Sequence, residues 1–291
     1  MFWIQKTALT AKSGKQQDLQ FINLGMEKEI QLVKGKKDIS LIGMSFSFEG
    51  DESLKENIMG VDVTTLNEQQ LMKRIEDDIR QNQKVRIVAV NPEKIIMADQ
   101  DPSLRQLLNE STYQIPDGIG VSIASKLSGG IVRGRVTGIG MMGNLLKLAN
   151  TNEWKIFMYG ATPETVQKAA QHIKERFPKL IISGTLDGYV KDTQQIVTTI
   201  NEAKPHILFV ALGSPKQELF IKNHMDQLHV NVFQGVGGSF DVYSGNVKRA
   251  PELFQKTGTE WLYRLLKQPS RIKRQLALPM FLVKVARNRN R

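Results

Sequence analysis

His206-Ile-Leu-Phe-Val-Ala-Leu-Gly-Ser-Pro-Lys-Gln-Glu218 is the stretch whose reading decides the fold. Its apolar run, Ile207 to Leu212, is too short for an ordinary helix and has no polar alternation, so it reads as a strand buried on both faces. Gly213 ends the strand, and Ser214-Pro215 opens a helix near Lys216. The same order recurs on either side. Val85-Arg-Ile-Val-Ala-Val90 is a strand, followed by a helix predicted from Glu93 to Asn109 with Ile95, Ile96, Leu104, Leu107 and Leu108 on its apolar face. Lys155-Ile-Phe-Met-Tyr159 leads through Gly160 into a helix from Glu164 to Phe177. Leu180-Ile-Ile-Ser183 leads through Gly184 to a helix from about Thr193 to Ala203, and Asn231-Val-Phe-Gln234 runs into Gly235-Val-Gly-Gly-Ser-Phe-Asp241. Strand, glycine turn and helix in repetition predict an α/β fold: a Rossmann-like, mostly parallel sheet with helices on both faces.

Glycine turns at the carboxyl ends of parallel strands are where such sheets bind ligands, and the N–H groups opening the next helix suit phosphate oxygens. Gly160, Gly213 and Gly237 mark three such turns. Each alone could simply end a strand; together they favour a nucleotide or phosphate site about as much as not. None forms GxGxxG or GxxxxGK[ST], which disfavours dinucleotide and P-loop readings.

Composition narrows the chemistry. With no cysteine, the chain has no disulfides, zinc-thiolate sites or cysteine nucleophiles. His172, His206, His224 and His229 fall into no metal-ligand spacing. Asp99 and Asp101 spell DxD, but within the predicted helix positions i and i+2 face different sides, so no metal and no cofactor is expected. The net charge of +11 is concentrated at one end: Lys248 to Arg291 holds 12 Lys/Arg and 2 Asp/Glu, leaving 28 and 27 for the rest. Such a tail suits anionic lipid or nucleic acid. No apolar run approaches the roughly 20 residues that span a bilayer, and the N-terminus, beginning Met1 to Lys6, lacks the long apolar core of a signal peptide, so a cytoplasmic location is expected. Three segments follow: an extension over residues 1–56 with room for one strand in Ile39-Ser-Leu-Ile-Gly-Met-Ser-Phe46, a core over 57–247, and a basic appendage over 248–291.

Further motifs stand in a fixed order: Asn91-Pro-Glu93, Ile115-Pro-Asp-Gly-Ile-Gly-Val121, Gly134-Arg-Val-Thr-Gly138, Gly213-Ser-Pro-Lys-Gln-Glu218, the long block from Gly235 to Pro251, and Glu260-Trp-Leu-Tyr-Arg264 followed by Gln268-Pro-Ser-Arg-Ile-Lys-Arg274. From about Ile58 onward this resembles the WecG/TagA/CpsF glycosyltransferases, and within them the members acting in teichoic-acid synthesis. The resemblance implies an inverting transfer of N-acetylmannosamine or a related sugar from a UDP-sugar to a GlcNAc-diphosphate-undecaprenol acceptor. It also implies peripheral attachment to the inner face of the cell membrane through the C-terminal part. The chain departs from the pattern at two places: Ala89 stands where the family usually has Thr, and Gly140 where an acidic residue is common.

An inverting transfer needs a base for the acceptor hydroxyl and donors or cations for the leaving diphosphate. The resemblance makes Asp117 the base; otherwise an Asp in Pro-Asp-Gly reads as stabilising its own turn. Asn91 could bond the sugar. Arg135 could face a phosphate or make a surface ion pair. Gln217 is a substrate contact or, with Glu218, a helix cap. Asp241 could touch ribose or base, or serve a turn. Arg264, Arg271 and Arg274 match the arginines that in the family are proposed to fold over the donor diphosphate; otherwise they face headgroups. Trp261, Tyr263, Phe281, Leu282 and Val283 among basic residues suit an interfacial membrane segment, which Pro279 should break or kink, and everything after about Pro269 should be removable without unfolding the rest. The expected partners are thus a UDP-sugar, a polyprenyl-diphosphate-linked acceptor and an anionic membrane surface. Nucleic acid is not expected, and a homo-oligomer stays open. Two other readings compete: a nucleotide-sugar-binding protein with altered catalysis, prompted by Ala89 and Gly140, and a nucleic-acid-binding protein using the basic tail, although that tail lacks nucleic-acid motifs.

Overall fold

The computed structural model describes residues 38–41, 44–47, 54–132, 134, 136–267 and 277–289. The chain divides into two compact units, Met1–Glu52 and Ser53–Arg291. In the first, β1 (Asp38–Leu41) and β2 (Met44–Ser47) pair antiparallel, with Asp38 opposite Ser47. The apolar patch read as a single strand therefore supplies two.

The second unit opens with a hairpin of β3 (Lys55–Ile58) and β4 (Val61–Thr64). Its two-residue turn, Met59 and Gly60, has φ of +52° and +84°, a pairing that matches the twist of the strands. The hairpin is pinned by side chains, with Asn109 Nδ2 donating to Gly60 O at 2.9 Å and Lys55 Nζ to Ser111 O at 3.1 Å. Next, α1 (Glu68–Arg80) begins in a capping box between Asn67 and Gln70 and buries Leu71, Ile75 and Ile79 along one stripe.

Six strands form the sheet: β5 (Val85–Val90), β6 (Tyr113–Pro116), β7 (Lys155–Gly160), β8 (Ile181–Leu186), β9 (Ile207–Ala211) and β10 (Val232–Gly235). They lie in the order β6-β5-β10-β9-β7-β8, and every pair is parallel. Successive residues point to opposite faces. Ile87, Ile156, Met158, Ile207, Phe209 and Val232 pack with α1, α5 (Gly138–Asn152), α6 (Pro163–Arg176) and α9 (Ser239–Tyr243). On the other face, Phe157, Tyr159, Leu208, Val210 and Phe233 pack with α7 (Thr193–Ala203) and α8 (Lys216–His224). There too, Val88 and Val90 meet α2 (Pro92–Gln100), α3 (Pro102–Asn109), α4 (Ile119–Leu127) and α12 (Ala277–Arg289). The continuous apolar strands thus follow from burial on both sides. In β8 the register shifts, and Gly184 lies where a side chain would meet the Phe157 ring.

The single helix predicted from Glu93 to Asn109 is two. Asp101 leaves the helical conformation (φ −125°, ψ 99°) and its carboxylate caps α3, accepting from Ser103 N at 2.9 Å and Leu104 N at 3.1 Å. The DxD pair is therefore not on one helix: Asp101 is a cap, while Asp99 binds Lys284 Nζ at 2.6 Å. Pro279 does not break α12; it stands in the first described turn, where proline is tolerated. Phe281 and Val285 of α12 lie in the core with Val90, Ile95 and Val121, so Phe281 is a core residue and not a surface anchor. Met280 and Val283 are half exposed.

Candidate functional site

The strand order reverses around β5, because the chain runs from β5 outward to β6 and then crosses to β7. Loops at the carboxyl ends of the strands part at such a place. Here they frame a cleft of about 770 Å³ lined by residues after β5, β6, β9 and β10, by the start of α5, and by the C-terminal elements α11 (Glu260–Lys267) and α12.

Asp117 directly follows β6. Its N–H donates to Val90 O at 2.8 Å, which ties the turn to the end of β5, and its Oδ1 accepts from Gly138 N at 3.3 Å at the start of α5. Gly118 follows with φ +89°, a conformation that favours glycine, and lets the chain turn directly into α4. Asn91 caps α2: its side chain accepts from Lys94 N at 2.9 Å while the residue lines the cleft. Ala89 lines it too, with its methyl against Gly138, so this part of the wall is apolar. Thr137 caps α5 through Gly140 N at 3.1 Å, and a Cβ on Gly140 would stand 2.8 Å from that hydroxyl. The loop leading there is held from β3: Glu56 Oε2 accepts from Ser125 Oγ at 2.8 Å, Ile131 N at 2.8 Å and Val132 N at 2.9 Å.

Gln217 and Glu218 do not cap α8, whose N-cap is Pro215 with no side-chain bond. Both are buried. Lys94 Nζ donates to Glu218 Oε1 at 2.7 Å, Gln217 Nε2 to the same oxygen at 3.0 Å, and Gly237 N to Gln217 Oε1 at 3.0 Å. Burial alone would push the Glu218 carboxyl up; the Lys94 ammonium and the hydrogen bonds from Lys94 and Gln217 outweigh it and hold the carboxyl below its ordinary range. Gly235 makes room for this arrangement, since a Cβ there would come within 2.5 Å of Gln217 Nε2.

Of the residues singled out from sequence, Asn91, Asp117, Gln217, Gly237 and Asp241 meet in the cleft. Gly160 and Gly213 are not among its lining residues. Gly160 instead permits β7 to approach β9, where a Cβ would lie 2.4 Å from Ala211 O. Arg135, Arg271 and Arg274 lie outside the described residues; Arg264 falls within α11, and its side chain lies outside the description. Trp261 and Tyr263, read as membrane anchors, line the cleft, and Tyr263 packs against Phe254 of α10 (Glu252–Lys256) with ring centroids 5.4 Å apart. Lys94 lines the cleft as well but is paired with Glu218, while Lys248, Arg249 and Lys267, read from the sequence as part of the basic appendage, add cations there. Among the described residues no cluster of three or more His, Cys, Asp or Glu could hold a metal, and no helix is long and apolar enough to cross a membrane.

The arrangement offers a carboxylate and several cations around one open volume, a set able to deprotonate a hydroxyl and receive an anionic leaving group. The sequence model of the Glycosyl transferase WecG/TagA/CpsF family matches residues 56–291. Similar proteins include the N-acetylglucosaminyldiphosphoundecaprenol N-acetyl-beta-D-mannosaminyltransferase of Bacillus spizizenii, 39% identical over 208 residues, 72% of this chain and 81% of that protein. The protein of the same name from Bacillus subtilis strain 168 is 40% identical over 199 residues, 68% of this chain and 78% of its own length. That of Staphylococcus aureus strain MW2 is 34% identical over 242 residues, 82% and 95% respectively.

Proposed function

Because the chain belongs to the WecG/TagA/CpsF family of glycosyl transferases, we propose that it moves N-acetylmannosamine from a UDP-sugar onto GlcNAc-diphosphoundecaprenol. The observation that carries this reading is the place of Asp117, half-buried in a cleft of about 770 Å³ among cationic side chains. Its carboxylate takes the proton of the acceptor hydroxyl as that oxygen attacks the anomeric carbon from the face opposite UDP. The glycosidic bond forms, the bond to the UDP oxygen breaks, and configuration inverts. Lys248 and Arg249, which line the cleft, meet the departing diphosphate, and Arg135, Arg264, Arg271 and Arg274 add to them as the cleft closes. Asn91, Gln217 and Asp241 orient the donor.

Residues 248–291 attach the enzyme to the anionic inner face of the membrane, where the acceptor resides. Roughly 1 kcal/mol per basic residue near such a surface is enough for reversible binding by a cluster of this size. The nucleic-acid alternative is disfavoured because the helices of the tail build the cleft wall and part of the core, and because the family match runs through them.

The test is to offer the purified protein a panel of UDP-sugars with a synthetic GlcNAc-diphosphate-lipid, following UDP release and identifying the product. UDP-N-acetylmannosamine is expected to yield the disaccharide lipid with inverted anomeric configuration. No release with any donor would overturn the reading, and turnover of another UDP-sugar alone would correct the donor.

A further inference from the structure

A buried ion pair sits beside the cleft and takes no part in the chemistry above. Lys94 is 8% exposed and Glu218 3%, and they come from the starts of α2 and α8, 124 residues apart in sequence. Charges withdrawn from water this far need each other, and removing one partner leaves the other uncompensated. The pair does more than neutralise itself. Gln217 Nε2 donates to the same Glu218 oxygen that Lys94 holds, while Gln217 Oε1 accepts from Gly237 N. An amide has one donor end and one acceptor end. Reversed, Gln217 would turn its oxygen toward the carboxylate and its NH₂ toward the Gly237 N–H, losing both bonds for two repulsions. Glu218 therefore fixes which way the amide points, and the amide fixes Gly237, whose φ of +51° shapes the loop from Gly235 to Ser239 along the cleft. The other Glu218 oxygen is buried with no hydrogen-bond partner among the described residues, and Lys94 and Gln217 are the side chains that orient the carboxylate, beside the residue's own backbone N–H.

We propose that Glu218 is a positioning residue for the nucleotide: held by Lys94, it orients Gln217, and through it the glycine loop against which the UDP moiety binds. This rests on reading the cleft as a UDP-sugar site, and the test separates the two claims. UDP itself is titrated calorimetrically into the wild-type protein and into two double variants, Lys94→Met/Glu218→Gln and Lys94→Met/Glu218→Leu. Both variants lack the charges and have similar volume, but only the first keeps an oxygen able to accept from Gln217. The leucine variant is expected to bind UDP about tenfold more weakly than the glutamine variant, at thermal unfolding midpoints that agree. The difference should vanish in a Gln217→Met background, because the link it passes through is gone.

Equal affinities in the two double variants, or a difference that persists with Gln217→Met, would overturn the proposal and leave the pair as packing. Should the leucine variant not fold, Glu218→Gln alone carries the test. With Lys94 left uncompensated and drawing the Gln217 oxygen toward itself, UDP binding should weaken, and Gln217→Met should weaken it no further. Additive losses would overturn the proposal. A wild-type protein that binds neither UDP nor any UDP-sugar refutes the reading of the cleft.

Discussion

Asp117 is held by its backbone, through the bond to Val90 O, and its carboxylate accepts from Gly138 N at the edge of α5. Asparagine keeps that geometry and cannot take a proton at neutral pH. Asp117→Asn is expected to lower turnover by a factor of about 10² or more with UDP binding retained, read from UDP release and from titration. Near-normal turnover would remove Asp117 as the base. Glu218 carries a prediction about pH. Its carboxyl in the folded protein lies below the ordinary value of 4.5, because Lys94 and Gln217 outweigh the burial that would raise it. A depressed folded pKa contributes stability above the unfolded value, and that stability is lost as pH falls through the folded one. Wild-type unfolding free energy should therefore drop more steeply with acidification below about pH 4.5 than that of Lys94→Met/Glu218→Gln, measured by denaturant titration at successive pH values. The turn at Pro116-Asp117-Gly118 was legible because local chemistry makes it. The contact of Lys94 with Glu218 was not, since a pairing across 124 residues leaves no trace in either local pattern.

Elements were legible where the period was unbroken. The strands of the sheet announce themselves by continuous apolar runs, because helices cover them on both faces. The break between α2 and α3 was missed although Asn91-Pro92 and Asp101-Pro102 carry the same signal, a capping side chain followed by proline at the first helical position. The apolar periodicity continued across it and hid the stop. In α12 the composition pointed to a surface role, and only packing shows which face is inward: Phe281 is fully buried and Val283 half exposed. Phe281→Ala should therefore cost about 3–5 kcal/mol in unfolding free energy, while Val283→Ala should stay within about 0.5 kcal/mol of wild type. Similar costs for the two would show that α12 does not pack on α2 and α4. A chain ended after Pro269 loses Phe281 and Val285 together and exposes their partners, so its stability should fall and not persist as the tail's composition suggested.

The charge asymmetry of the whole chain predicts a lipid dependence. The protein should co-sediment with vesicles containing about 30% anionic lipid and not with zwitterionic ones, and moderate salt should weaken this binding without abolishing it, since Met280 and Val283 add apolar contact. Binding that disappears completely in moderate salt would mean that charge alone is responsible. A different consequence follows from where β10 lies. It is the last of the sheet's strands in sequence and fills the middle of the sheet, between β9 and β5. On the ribosome, the segments β5-β6 and β9-β7-β8 emerge as two sheet fragments, each with a bare edge facing the gap that residues 232–235 will occupy. Open edges beside apolar faces invite association with other chains, so the nascent polypeptide is exposed until β10 emerges. When Val232 to Gly235 arrives, it joins both halves and brings in the glycine loop of the cleft, Gly235 to Ser239, while the wall from α11 and α12 is still to follow. A chain arrested short of β10 therefore lacks both a continuous six-stranded sheet and the glycine loop of the cleft.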